Sequence, residues 1–272
     1  MSEQVSRRAA MTGLLLLVFA SGGAPAADTP ILPPELRGLW PDTAVVSRGI
    51  RSTVAGHRTD PAVLAEVARR ADTAAQRVSA VLGGPVRPLV AVPASAREAA
   101  ALAGAARLDG LAAVADGRRV IVVPEAFATL NPIGKDVVLA HELTHVVAGT
   151  DGVPPWLREG FADYVGYRDA GLPVATAAAE LAAEVRAGRL PNALPEPAAF
   201  AADGRDPGRL ARAYQEAWLA CRFLADRFGE ATLVRLYREA RAAGVGPALA
   251  AVGLSVATLT ERWRAYVRDL LV

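Results

Sequence analysis

The five residues His141-Glu142-Leu143-Thr144-His145 constrain this chain more than any other stretch. On a helix each residue turns the chain by about 100°, so residues four apart project from nearly the same side. His141 and His145 therefore aim two imidazoles at one point, which suits a tetrahedral ion such as Zn²⁺. Glu142 can reach a water at that point without being a ligand, the placement a general base needs. A fold that uses this helix must bring a third ligand to it. The sequence offers Glu159, fourteen residues after His145 in Trp156-Leu157-Arg158-Glu159-Gly160. Asp163 follows four residues later on the same helical face, and a carboxylate there can accept the outer N–H of a metal-bound histidine.

A bare pentapeptide of this kind also arises by chance on buried helices. Here two of the chain's three histidines fall inside it, which weighs against accident. A catalytic cysteine would need a histidine partner, and nothing connects the third histidine, His57, to the chain's one cysteine. Cys221 is the only cysteine; it cannot close an internal disulfide and sits on an apolar helical stripe, so a buried, inert thiol is expected.

HELTH followed by PPWLREGFADY resembles the gluzincin metallopeptidases, in particular their compact peptidase-MA-like branch. The resemblance is specific over residues 136–166 and looser over about 45–270. It implies His141, His145 and Glu159 as zinc ligands, Glu142 as the base, and Asp163 as the partner of His141. The thirteen residues between His145 and Glu159 form a shorter spacer than in the large thermolysin-like enzymes, which argues against a roomy insertion there. No third histidine follows at the short spacing of a metzincin. The fold class expected is α+β and zincin-like: a small mixed β-sheet lobe with the active-site helix, then a mostly helical C-terminal lobe.

With 52% hydrophobic and 21% charged residues, the composition is globular. The formal net charge is +2, and Lys135 is the only lysine. The arginines are scattered among acids, a pattern of solvated faces and not of a nucleic-acid footprint. Residues 1–27 read as an export signal: Arg7 and Arg8, an apolar run over 14–20, then Ala24-Pro25-Ala26 as a cleavage site. That run is well short of the ~20 residues a spanning helix needs, so no stable membrane anchor is expected after its removal. Ser6-Arg7-Arg8 leaves both the general and the twin-arginine export routes open.

Residues 28–44, with four prolines, read as an extended lead-in without core, and the zincin-like domain as 45–272. A first strand is expected over 47–55 and a second over 88–92. Pro61–Leu82 has helical spacing, with Asp60 as N-cap and Gly83-Gly84 as the stop. Ser95 caps a short helix over 95–105. Residues 111–115 and 118–123 flank Asp116-Gly117, the signal of a hairpin with a tight two-residue turn. The strand over 119–123 has two readings: an edge that pairs with extended substrate through its backbone, or a buried central strand, which its Val-Ile-Val-Val run favours.

The motif helix should run from Asn131-Pro132 to near Gly149, apolar almost all round and therefore buried. The next opens at Pro154-Pro155; Gly160 inside it costs about 1 kcal/mol relative to alanine, which a close approach of the two helices at the metal would explain. An alanine-rich helix is expected over 176–187, then a four-proline loop over 190–207 that could rim the cleft, and three helices over 208–228, 231–243 and Val256–Leu271. Tyr214 is a candidate oxyanion donor by resemblance, or a core aromatic by its apolar stripe; Tyr164 is a weaker candidate for the same role.

These readings point to an exported zinc peptidase acting on peptide or protein substrates through water and Glu142. The alternative is a non-catalytic zinc-bound domain serving binding or structure, and a related chain with a blocked cleft is a third. Structural sites are normally closed by four ligands, often cysteines, which favours the enzyme. Nothing in the sequence indicates an oligomeric state or fixes the cleavage specificity.

Overall fold

The computed structural model describes residues 33–40, 43–201 and 207–272. Residues 1–27, read from the sequence as an export signal, and residues 28–32 and 41–42 of the lead-in lie outside the described residues. The described chain is mixed α+β: one five-stranded mixed sheet, with helices making most of the remainder. Among the described residues no helix is long and apolar enough to cross a membrane.

The sheet begins with a hairpin. Strands β1 (Ala44–Arg48) and β2 (Thr53–His57) pair antiparallel, where one strand over 47–55 was expected. The chain reverses at residues 49–52, with the Gly49 N–H on the Ser52 carbonyl. Asp72, far along the chain, accepts the N–H groups of Ile50, Arg51 and Ser52 at 2.6, 2.9 and 2.9 Å. A turn held by a distant carboxylate leaves no local signature. Burial raises the pKa of Asp72, but these three donors outweigh it and hold the carboxyl below its ordinary value.

Helix α1 (Pro61–Leu82) crosses back to β3 (Leu89–Val92), which lies parallel to β2. Its ends are those the sequence marks: the Asp60 side chain accepts from the Ala62 N–H, and Gly83 follows at positive φ. Helix α2 (Ala96–Leu102), capped by Ser95, leads to β4 (Ala113–Ala115) and β5 (Val120–Val122), and α3 (Pro124–Thr129) follows. The strand order is β1-β2-β3-β5-β4. β5 is therefore internal, parallel to β3 and antiparallel to β4, and the central-strand reading is the correct one. The edge strands are β1 and β4, and β4 is the one beside β5. In the β4–β5 turn only Gly117 has positive φ, and Asp116 pairs with Arg119; the two central residues are Gly117-Arg118, one step later than expected. The Asp116 carboxylate accepts the N–H groups of both Arg118 and Arg119.

Alternation along β5 explains its apolar run. Val120 and Val122 enter the main core with α1, while Ile121 and Val123 face a second cluster on the other side. That second cluster corrects the expectation that the lead-in carries no core: Leu36 (1% exposed) and Trp40 (7%) pack there with Ala55, Ala91 and Ala99. Trp40 stacks on His57, and both bond to Glu98 of α2, which occupies the third histidine away from the other two.

The helical half starts with α4 (Pro132–Ala148) and α5 (Pro155–Gly166). The expected helix over 176–187 is two, α6 (Val174–Ala177) and α7 (Ala179–Arg186), broken at Ala178. The Leu181 N–H near the start of α7 is taken by the Gln215 side chain, a tertiary bond that supports a new helix start. The loop over 190–207 holds a 3₁₀ turn, Pro197–Phe200, and buries Leu194; residues 202–206 lie outside the described set. Helices α8 (Pro207–Phe228), α9 (Glu230–Ala243), α10 (Val245–Ala250) and α11 (Val256–Leu271) complete the chain. α8 lies along α5 and buries Ala217, Cys221 and Leu224 of the expected stripe. Burial pushes the Cys221 thiol far up, as an inert core cysteine requires.

Candidate metal centre

Helix α4 is held at both ends. The Asn131 side chain accepts the Gly134 N–H at 2.8 Å, and Pro132 opens the first turn. At the far end Tyr237 of α9 donates to the Gly149 carbonyl at 2.6 Å and Arg241 to the Ala148 carbonyl at 2.8 Å. These bonds satisfy carbonyls that a helix end leaves free and place a cation at the negative pole. The helix is not buried all round, since Val147 is exposed. Leu139 and Leu143 enter the core, while His141, Glu142 and His145 line a cavity of about 290 Å³.

Glu159 of α5 meets the two histidines there. The Nε2 atoms of His141 and His145 are 3.0 Å apart, and they lie 3.3 and 3.4 Å from Glu159 Oε2. Ligand atoms around a tetrahedral ion with bonds of ~2.0–2.1 Å sit about 3.3 Å from each other. Two nitrogens and one oxygen at this spacing could hold a metal ion. His141 Nδ1 lies 2.7 Å from Asp163 Oδ1, which fixes the proton on Nδ1 and turns the Nε2 lone pair into the cluster. Asp163 thus partners the histidine that the family resemblance implies.

The charges explain one another. Burial pulls the pKa of His141 down, but the Asp163 charge and hydrogen bond, with Glu159, carry it well above its ordinary value. Burial pushes Glu159 up, yet the two imidazoles beside it hold its carboxyl far below the usual range. Its second oxygen, Oε1, is held by Arg158 Nε at 2.7 Å, so Glu159 turns a single oxygen to the histidines. Glu142, partly buried, is raised by burial, with the two histidines opposing. Its Oε2 accepts the Ala115 N–H at 2.8 Å, which ties the carboxylate to the free edge of β4.

Tyr214 also lines the cavity, its ring centroid 6.2 Å from that of His141, with Phe200 edge-on behind it. It is therefore not simply core. Burial and the surrounding carboxylates push its hydroxyl pKa up, while the Arg158 charge lowers it. Tyr164 is elsewhere: its hydroxyl donates to Glu230 at 2.9 Å, in a separate cavity with Arg168 and Arg222.

Gly160 permits a close approach, but to a different helix than expected. A Cβ there would lie 2.5 Å from the Ala217 carbonyl carbon and 3.0 Å from Cys221 Sγ, both on α8. The glycine facing α4 is Gly166, where a Cβ would lie 3.1 Å from the Val137 carbonyl oxygen. Arg158 and the Ala115 N–H were missed in the sequence: the first stands in the quoted segment, the second depends on sheet pairing. In comparisons with known proteins, no family model matches the chain and no curated protein is significantly similar to it.

Proposed function

We propose that this chain is an exported zinc-dependent peptidase of the gluzincin type with a zincin-like fold, cleaving peptide bonds with water. The observation that carries the reading is the convergence of His141 Nε2, His145 Nε2 and Glu159 Oε2 beside an acidic residue that lines a cavity. The donor set, two imidazoles and a carboxylate, is that of a catalytic and not a closed structural zinc site. His141, His145 and Glu159 would hold the ion. Bound zinc would supply Lewis acidity, polarising the scissile carbonyl and making water more acidic.

The protein's own groups do the rest. Glu142, its pKa raised by burial, takes a proton from the attacking water and returns it to the leaving amine. Asp163 keeps His141 in one tautomer, and Arg158 keeps Glu159 presenting one oxygen. The Tyr214 hydroxyl, on the cavity wall, donates to the developing oxyanion. Substrate backbone pairs with β4. The β4–β5 bonds at Ala112 and Asp116 leave Ala113 directing its N–H and carbonyl outward beside the cavity, together with the carbonyl of Ala115, whose N–H is held by Glu142.

The test is zinc content by elemental analysis together with peptide-library cleavage that chelation abolishes and zinc restores. A protein loaded with one zinc that cleaves no peptide would favour a binding or structural role.

A further inference from the structure

Resting on the peptidase reading, we propose that Arg158 is the specificity residue of this cleft and selects substrates carrying a carboxylate close to the scissile bond. Apart from the three ligands and Glu142, Arg158 is the one charged side chain among the described residues of the cavity wall. The rest of that wall is apolar or neutral, with Leu111, Val114, Thr150 and Tyr214 its larger side chains. Beyond the proposed metal centre and Glu142, this cation is the one feature of the described wall that favours an anionic group on a ligand.

The guanidinium is anchored and still available. Its Nε donates to Glu159 Oε1 at 2.7 Å, which fixes the plane of the group. Among the described residues neither Nη finds an acceptor, and the side chain stays 33% exposed. Four N–H donors in a fixed plane at the end of a held arginine match the two oxygens of a carboxylate. Arg158 and Tyr214 line the same cavity, so the arginine borders the space that the proposed oxyanion donor also faces. A carboxylate bound there places its peptide across the cluster. It can come from an Asp or Glu side chain or from a free C-terminus; the chemistry is the same.

A purely supporting role for Arg158, steadying Glu159, makes a different prediction: its loss would slow all peptides equally. The test therefore reads ratios. Zinc-loaded protein is given N-acetylated octapeptides in matched pairs, Glu against Gln at each position, and free acid against amide at the C-terminus. The carboxylate member of one pair should have a kcat/KM higher by roughly tenfold or more, the scale of a hydrogen bond to a charged group. A preference confined to the acid–amide pair identifies the terminal carboxylate; one confined to an internal position identifies a side chain. Arg158→Gln should bring the ratio close to one, and Arg158→Glu should turn the preference towards Lys at that position. Zinc content is measured for each variant, and within-variant ratios cancel any partial loss of metal.

The same peptides are titrated by fluorescence anisotropy against zinc-loaded Glu142→Gln protein, with and without Arg158→Gln. Arginine-dependent binding preference without cleavage by the native protein would support the recognition site and overturn the peptidase reading. Cleavage with no carboxylate preference, or a preference that survives Arg158→Gln, would overturn the recognition site alone. Neither binding nor cleavage of any peptide would overturn both.

Discussion

Removing the carboxylate of Asp163 isolates one bond of the centre. Its Oδ1 lies 2.7 Å from His141 Nδ1, and both residues are buried. In Asp163→Ala the Nδ1–H keeps its burial and loses its acceptor, at a cost of about 1–3 kcal/mol. At 1.4 kcal/mol per tenfold, that corresponds to a loss of roughly 5- to 150-fold in metal affinity, a range that brackets the roughly 10- to 100-fold usual for an outer partner of a ligating histidine. Asp163→Asn keeps an acceptor oxygen in place but removes the charge. Because a charged hydrogen bond is roughly twice as strong as a neutral one, Asn should recover about half of the lost free energy. The assay is a zinc titration of metal-free protein against a competing chelator of known affinity. Circular dichroism of the metal-free variants checks that the fold persists. Wild-type affinity in a folded Asp163→Ala protein would refute the role assigned to this contact.

Three further outcomes follow from the packing and charges. Gly160→Ala should destabilise, because its Cβ overlaps the Ala217 backbone; overpacking of ~1–3 kcal/mol exceeds the ~1 kcal/mol gained in helix propensity, so calorimetry should find a lower Tm. Asp72 has a depressed folded pKa, so it contributes stability above its unfolded value of about 3.9 that is lost as pH falls through the folded value. Denaturant unfolding from pH 7 to pH 2 should show this component in wild type and not in Asp72→Asn; identical profiles would contradict it. Tyr214→Phe should lower kcat about 10²-fold with KM little changed, and unaltered turnover in steady-state kinetics would return Tyr214 to a packing role.

Much of the centre was legible because its geometry is local. The i, i+4 spacing of His141 and His145 needs only a helix, and Asp163 repeats that spacing from Glu159. Helix ends at Asp60, Ser95 and Asn131 were legible for the same reason, since a cap bonds within three residues. What escaped was set by partners distant in sequence. The 49–52 reversal depends on Asp72, the break at Ala178 goes with Gln215, and Glu142 is tied by a backbone group of β4. Leu36 and Trp40 were hidden by the prolines around them, which read as extended chain although two apolar side chains fill the sheet's second face. Gly160 was read correctly as a close approach but assigned to the wrong neighbour, because a sequence shows that space is needed and not which helix needs it.

Glu142→Gln tests the central claim most directly. The amide keeps the size of the side chain, loses the ability to accept water's proton, and leaves His141, His145 and Glu159 untouched. Wild type and variant, prepared identically, are measured for zinc by elemental analysis and for peptide cleavage by mass spectrometry. Both should hold one zinc per chain, and the variant's cleavage should fall by several orders of magnitude. A zinc-loaded variant that cleaves as fast as wild type would contradict the assignment of Glu142 as the base and the mechanism built on it.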